Sequence, residues 1–363
     1  MKVGVNMKRP IDYAIKSCET MMRKFEAAKL PPEGRFHYHQ GVFLSGVHKT
    51  YELCQDERYF QYIKDWLDSL ITADGEVLGI DGLQMDDIQP GILLYPMIKR
   101  YDDPRYEKAL KFLVGMFDDY PRNVTGGLWH KEWHPNQMWL DGLYMGGPIL
   151  AEYGQKYNSP ETIDFVVEQV ELMRKYTRDE ESGLWYHAWD ESRKEGWSRP
   201  DCGRSSEFWG RSIGWVPVAI LEDMDFIDKD NPGYETLSRI VVDLIKSICK
   251  YQSAEGRWYQ VVDKGNQEGN WLETSCSCLF VAAICKAVRI GILDQSYLEQ
   301  ARLGFEGVVN SLIMDGDDLV VNNVCVGTGV GDYQFYCDRP TCENDLHGVG
   351  AFLIMCAESE QVL

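Results

Sequence analysis

The chain has 363 residues, 44% of them hydrophobic and 26% charged, with a formal net charge of -20. That balance suits a globular protein with a large buried core, and the acidic excess argues against nucleic acid or an anionic membrane surface as partners. An acidic small substrate is still compatible, provided that a few Arg, Lys or His converge locally.

The chain begins MKVGVNMKRPIDYAIKSCETMMRKF, which holds no continuous apolar stretch of the kind a secretory leader or a membrane span needs. Its 11 cysteines are an odd number, with no C-x-x-C and no zinc-ribbon spacing in Cys276/Cys278 or Cys337/Cys342. Reduced thiols and a cytoplasmic location are therefore expected. No Pro/Ser-rich linker or low-complexity tract divides the sequence, so one domain over 1–363 is expected.

Ile11, Ala14, Ile15, Cys18, Met21, Met22 and Phe25 follow the i, i+3, i+4, i+7 period of an amphipathic helix. The same period predicts helices at 11–28, 41–54, 58–71, 91–101, 104–119, 138–153, 161–177, 208–226, 234–251, 273–290, 295–312 and 345–358. Links from an even helix to the next odd one are short, as at Gln55 to Glu57, Asp102-Asp103 and Asn158-Ser159-Pro160. Links from odd to even are long: 29–40, 72–90, 120–137, 178–207, 252–272 and 313–344. Gly127-Leu128-Trp129-His130, Gly183-Leu184-Trp185-Tyr186-His187 and Gly256-Arg257-Trp258-Tyr259 recur in equivalent long links as short extended segments.

Consecutive antiparallel helices place all long links at one end. Twelve helices with this alternation predict an all-α fold, six hairpins closed into an (α/α)6 barrel with short strands only in the mouth links. Even helices such as 138–153 and 273–290, rich in Gly, Ala, Ser and Cys, suit the crowded inner ring. Function should sit at the elaborated mouth.

Candidate chemistry gathers there. Asp141 is a lone carboxylate beside Trp139, Tyr144 and Met145 in QMWLDGLYMGG, either a helix-start cap or a poorly hydrated general acid. Asp86 and Asp87, in QMDDIQPG, either cap the helix that follows or pair with Asp141, pushing one carboxyl up. His130 with Lys131, and His187 with Trp189, come from successive mouth links. Arg211, with Trp215 in FWGRSIGW, either grips a carboxylate bidentately or pairs with Glu207 or Glu222. The 327–331 run GTGVG follows no βαβ pattern and reads as backbone that approaches a ligand or another loop closely. Walker, zincin and serine-elbow motifs are absent from the sequence.

MWLDGLYMGGP (138–148), FWGRSIGW (208–215), ETSCSCLFVAAICKAVRIGILD (273–294) and GTGVGDYQFYCDRPTCENDLHGVGAF (327–352) resemble the unsaturated rhamnogalacturonyl hydrolases of glycoside hydrolase family 105, and the likeness begins at HYHQG (37–41). The resemblance implies an (α/α)6 barrel, no metal or other cofactor, and removal of a 4,5-unsaturated uronic acid from lyase-generated oligosaccharides. It puts Asp141 at the general acid/base position and Asp86 at the second carboxylate. Tyr38, His130, Lys131, Trp139, His187, Arg211 and Trp215 would surround the sugar. The family's GRGNGW becomes GRSIGW here, with Ile213 in place of Asn.

The implied chemistry suits these residues. An unsaturated uronate is a vinyl ether, requiring a proton at C4 and water at C5. The expected substrate is an unsaturated galacturonyl-rhamnose from rhamnogalacturonan; ulvan or glycosaminoglycan fragments are the alternative. Two other classes stay open: a sugar epimerase using His130 and His187, and a non-catalytic glycan-binding barrel in which Asp141 is a cap. The natural aglycone and the oligomeric state are not written in the sequence.

Overall fold

A computed structural model describes residues 9–363. The leader reading falls partly on residues 1–8, outside that range.

The described residues form α1 (Pro10–Lys24), α2 (Tyr38–Cys54), α3 (Glu57–Leu70), α4 (Leu94–Arg100), α5 (Pro104–Gly115), α6 (Asp141–Lys156), α7 (Pro160–Thr177), α8 (Gly210–Asp223), α9 (Pro232–Cys249), α10 (Thr274–Arg289), α11 (Leu298–Ser311), α12 (Tyr333–Cys337) and α13 (Leu346–Glu360). Twelve of these are the expected helices; the additional α12 is one short turn inside the last mouth link. Its start is fixed locally, since Asp332 accepts from the Phe335 N–H at 2.9 Å.

The outer helices start from caps that the short links supply. Asp56 accepts from the Arg58 N–H, Asp103 from Arg105 and Asn231 from Gly233, each at about 3 Å, and Pro opens α5, α7 and α9. Several predicted elements are shorter than their periodicity, including 104–119, which ends at Gly115. Residues 91–101 enter through a 3₁₀ turn, Gln89–Leu93, and the α-helix begins only at Leu94, because Pro96 has no N–H to bond the carbonyl of Ile92. The first helix stops at Lys24, where Phe25 turns extended (φ -133°, ψ 128°).

Inner and outer helices differ in what they bury. The outer α3 keeps one apolar face, Tyr59, Phe60, Tyr62, Ile63, Trp66, Leu67 and Leu70, whereas every residue of α10 from Thr274 to Val288 is buried. α2 packs on α13, α13 on α10, α10 on α8, α8 on α6, α6 on the 3₁₀ turn before α4, and that turn on α2. The ring is closed, as an (α/α)6 barrel requires. Closure brings helices near the two chain ends together, and small residues permit it: a Cβ on Gly350 would lie 2.5 Å from the Val42 carbonyl oxygen, and one on Gly46 2.6 Å from Leu353 Cβ.

The long links form a stitched rim. Four begin with the same tight turn, closed by glycines at positive φ: Gly75 (80°), Gly126 (96°), Gly183 (77°) and Gly256 (83°). Beyond the turns, β1 (Gln137–Trp139) pairs antiparallel with β2 (Ala188–Asp190), and β3 (Trp258–Tyr259) with β4 (Leu272–Glu273). The last long link folds β5 (Ile313–Asp315) onto β6 (Asp318–Val320) and β7 (Val324–Cys325) onto β8 (Thr341–Cys342). Single bridges Gln84–Lys131 and Trp209–Val261 join further links. No described helix is long and apolar enough to cross a membrane, and all 11 cysteines are free thiols.

Gly350→Ala is expected to lower unfolding free energy by about 1–3 kcal/mol, because the methyl meets rigid backbone. Gly115→Ala, at the end of α5 with nothing within 4 Å of the added carbon, should instead gain about 0.4–1 kcal/mol. Denaturant midpoints that move in the same direction for both would contradict this packing of α2 on α13.

Candidate active site

The rim stitching decides which side chains meet. Pairing of Trp139 with Ala188, followed by the Leu140 N–H to His187 carbonyl bond at 3.0 Å, sets His187 against the start of α6. In the neighbouring links, the Met85 N–H donates to the His130 carbonyl at 3.1 Å and the Glu132 N–H to Leu83 at 2.8 Å. His130 and Lys131 are thereby held over the 3₁₀ turn Met85–Asp87. Trp139, Asp141, Asp86, His130 and Lys131 thereby meet around a cavity of about 350 Å³ at the barrel mouth.

Tyr38, Asp86, His130, Lys131, Trp139, Asp141, Arg211 and Trp215 all line that cavity. His187 does not; it is fully buried behind Asp141. His37, His39, His134, Met145 and Trp209 also line the wall, and were not singled out from sequence. Trp209 was within reach of inspection, two residues before Arg211 in the same motif. Trp189 is elsewhere, stacked on Tyr176 at 3.9 Å.

Asp141 is not a cap. Leu140 occupies that position, and Asp141 Oδ2 is buried with no aligned hydrogen-bond donor. His187 Nε2 stands 3.2 Å from it, at ion-pair distance but off the hydrogen-bond direction. Burial pushes the Asp141 carboxyl up, but the nearby His187, His130 and Arg211 outweigh it and hold the group below its ordinary value. The rise that a poorly hydrated site alone would cause is thus reversed by its cationic and imidazole neighbours.

Asp86 is also low, at about 2: burial opposes ionisation, while His130, Lys131 and His37 favour it more strongly. Its Oδ2 is 2.5 Å from Lys131 Nζ, and His130 Nε2 is 3.6 Å from Oδ1. The expected carboxylate pair with one raised member does not form between Asp86 and Asp141: Lys131 pairs with Asp86, and both carboxyls are held below their ordinary value. Asp87 faces the other way. It accepts from the Asp81 N–H at 2.8 Å, Gln84 Nε2 at 3.0 Å and Arg35 Nη2 at 3.1 Å, and burial pushes it up to about 6. Asp87 braces the link; Asp86 faces the cavity.

Arg211 pairs with neither Glu207 nor Glu222, which contact Lys264 and Lys49. Its guanidinium lies 4.6 Å over Trp209 and donates to the carbonyls of Cys325 at 2.5 Å and Val326 at 2.8 Å. Part of its donor set therefore fastens the last mouth link. That link supplies Gly327, Thr328 and Gly329 to the cavity wall, the close backbone approach that the GTGVG run suggested. Trp139 stacks on His130 at 4.6 Å, and Trp215 on Tyr144 at 4.6 Å. Ile213 is fully buried in the core and does not line the cavity. Its replacement of Asn therefore alters inner-ring packing.

One hydrogen-bond chain runs behind His187. The Gly331 N–H donates to the Tyr336 hydroxyl at 3.2 Å, and that hydroxyl lies 2.7 Å from His187 Nδ1. Donation of the phenol proton to Nδ1 would place the imidazole proton on Nε2, facing Asp141. A fully buried His187 cannot reach a substrate carbon, which removes one of the two histidines an epimerase would need.

A half-buried carboxylate at the aromatic mouth of a six-hairpin barrel is the arrangement of a helical-barrel glycosidase, and comparison with known proteins agrees. The chain belongs to glycosyl hydrolase family 88, whose model matches residues 13–363, together with its family 105 relatives. A glycoside hydrolase of family 105 from C. acetobutylicum superposes with a TM-score of 0.92 at 31% identity, over 96% of this chain and 99% of that one. The unsaturated rhamnogalacturonyl hydrolase YesR of Bacillus subtilis is 23% identical over 80% of this chain and 79% of its own length. The unsaturated glucuronyl hydrolase of Bacillus sp. GL1 shares the fold, with a TM-score of 0.69 at 13% identity over 96% of this chain and 95% of its own.

Tyr336→Phe should free His187 to populate the Nδ1–H tautomer. Nitrogen-15 NMR of the labelled imidazole reads this directly, and an unchanged Nε2–H tautomer would mean that Tyr336 does not set it.

Proposed function

We propose that this hydrolase removes a 4,5-unsaturated uronic acid from lyase-generated oligosaccharides, with unsaturated galacturonyl-rhamnose from rhamnogalacturonan as its substrate. The observation that carries the reading is Asp141: a half-buried carboxylate that caps nothing, faces a 350 Å³ cavity and is flanked by His187, His130 and Arg211. YesR, by its name, acts on such a rhamnogalacturonyl product. Ulvan and glycosaminoglycan fragments form the second reading, since the Bacillus sp. GL1 relative is described as responsible for glycosaminoglycan degradation. Free thiols throughout favour work in the cytoplasm. A family match over 13–363 on a ring closed by α2 and α13 favours a single catalytic domain.

In this mechanism the uronate carboxylate enters the positive field of Arg211 and Lys131. Its negative charge offsets that field and raises the Asp141 carboxyl, so the acid gains its proton as substrate binds. Asp141 then delivers the proton to C4, and positive charge spreads over C5 and the ring oxygen. Asp86 stays ionised beside Lys131 and stabilises that charge. Water adds at C5 and returns its proton to Asp141. The hemiketal opens and the aglycone leaves from C1. Tyr38 stays a neutral phenol, raised by burial, while Trp139 and Trp215 stack on the sugar and exclude water.

Asp141→Asn retains shape but not the acid, so kcat should fall about 10²–10⁴-fold with binding preserved. Activity within tenfold of wild type on an unsaturated uronyl disaccharide removes Asp141 from the mechanism. In deuterium oxide the released sugar must carry deuterium at C4; its absence sinks the hydration route. Parallel assays on unsaturated disaccharides from pectin, ulvan and glycosaminoglycan lyases decide between the two substrate readings.

The pH dependence has a defined sign. Asp141 acts while protonated, so activity declines as pH rises through its titration. Substrate binding raises that carboxyl, which places the alkaline limb of kcat at higher pH than that of kcat/KM. Coincident limbs would mean that the bound carboxylate does not act on Asp141.

A further inference from the structure

Beside the Asp141 cavity, the start of α2 meets the start of α13 and three donor atoms converge. His39 lies in the first turn of α2, Asp345 caps α13, and His347 lies in its first turn. His347 Nδ1 is 2.6 Å from Asp345 Oδ1, His39 Nε2 is 3.8 Å from the same oxygen, and all three ligand atoms fall within 4.8 Å of one another.

Both imidazoles are oriented from behind. His347 Nε2 lies 3.1 Å from the Cys325 carbonyl oxygen, which only accepts, so Nε2 carries the proton and Nδ1 presents its lone pair. That Nδ1 is buried with no aligned hydrogen-bond partner, in a residue with 0% exposure. Two acceptors 2.6 Å apart repel unless positive charge joins them: a proton in the gap, or a divalent ion bound beside the pair at about 2.0–2.2 Å from each atom. His39 engages His37 through a 3.0 Å contact between their Nδ1 atoms, which leaves Nε2 for the cluster. Asp345 is held well below the carboxylate range, with His347 and His39 outweighing the effect of burial.

A ring N–H bonded to a backbone carbonyl, as at His347 Nε2, is the usual support behind a metal-ligating imidazole. Two imidazoles and one carboxylate suit a borderline divalent ion and leave a coordination position open. His39 lines the cavity shared with Asp141.

We propose that His39, Asp345 and His347 bind one divalent cation of the Zn²⁺ class at the wall of the Asp141 cavity. The resemblance to family 105 implies chemistry without a metal, and the Asp141 proton route needs none. The cation is an additional site, whose positive charge adjoins the place where an anionic sugar would enter. Its existence is independent of the proposed hydrolysis, because metal binding is read without substrate.

The test uses the full chain, stripped with a chelator, dialysed, and titrated calorimetrically with Zn²⁺ alone. Stoichiometric binding to wild type is expected. Asp345→Asn retains the helix cap, because Asn caps nearly as well as Asp, and both it and His39→Gln should weaken binding at least tenfold. Circular dichroism establishes that each variant is folded, and Zn²⁺ should raise the melting temperature of wild type but not of the variants. Because 11 free thiols are present, Co²⁺ loading supplies the ligand signature: a nitrogen/oxygen spectrum without the intense near-ultraviolet thiolate band. Substoichiometric binding by wild type overturns the proposal even if neither variant folds. So does wild-type affinity in either folded variant, or a thiolate spectrum.

Discussion

Closure of the inner helical ring is the constraint on which the rest of the molecule depends. α2 and α13, separated by nearly the whole chain, pack so closely that Gly46 and Gly350 have no room for a Cβ. The contact sets the barrel diameter, and with it the spacing of the six long links at the mouth. It also sets His39 beside Asp345 and His347. A wider ring would retain every helix and lose the cavity.

The rim converts that frame into a site by a second device, sparse antiparallel bridging between successive links. Three residue pairs join β1 to β2, and single bridges do much of the rest. These are short ladders, yet each fixes the register of a link whose ends are already anchored in rigid helices, so few bonds suffice to position a side chain. Asp141 and His187 meet because Trp139 pairs with Ala188; Asp86 and Lys131 meet because Gln84 bridges Lys131. Aromatic rings fill the space between these polar groups. Trp139 on His130 and Arg211 over Trp209 limit the motion of the imidazole and the guanidinium near the carboxylates.

Electrostatics at the mouth runs against the charge of the whole. In a chain of net charge -20, the cavity gathers Arg211, Lys131 and several imidazoles around two carboxylates, and both carboxylates are held ionised. Coulomb interaction falls with distance and is screened by solvent, so a few nearby cations in a buried site outweigh a larger number of acidic groups spread over the surface.

Periodicity alone determined the helices, their pairing and the end of the barrel at which the site lies, because an amphipathic repeat and alternating link lengths are local properties. The motif around Asp141 identified the carboxylate for the same reason: one charged residue in an apolar run is visible without a structure. What the sequence left open was settled by long-range contacts. Whether Asp141 caps its helix, which of Asp86 and Asp87 faces the cavity, and whether Arg211 meets a glutamate or the carbonyls of Cys325 and Val326 depend on neighbours tens to more than a hundred residues away. The sign of the Asp141 shift belongs to the same class. Burial can be guessed from the surrounding apolar residues, but the His187, His130 and Arg211 fields that outweigh it exist only once the links are folded over one another.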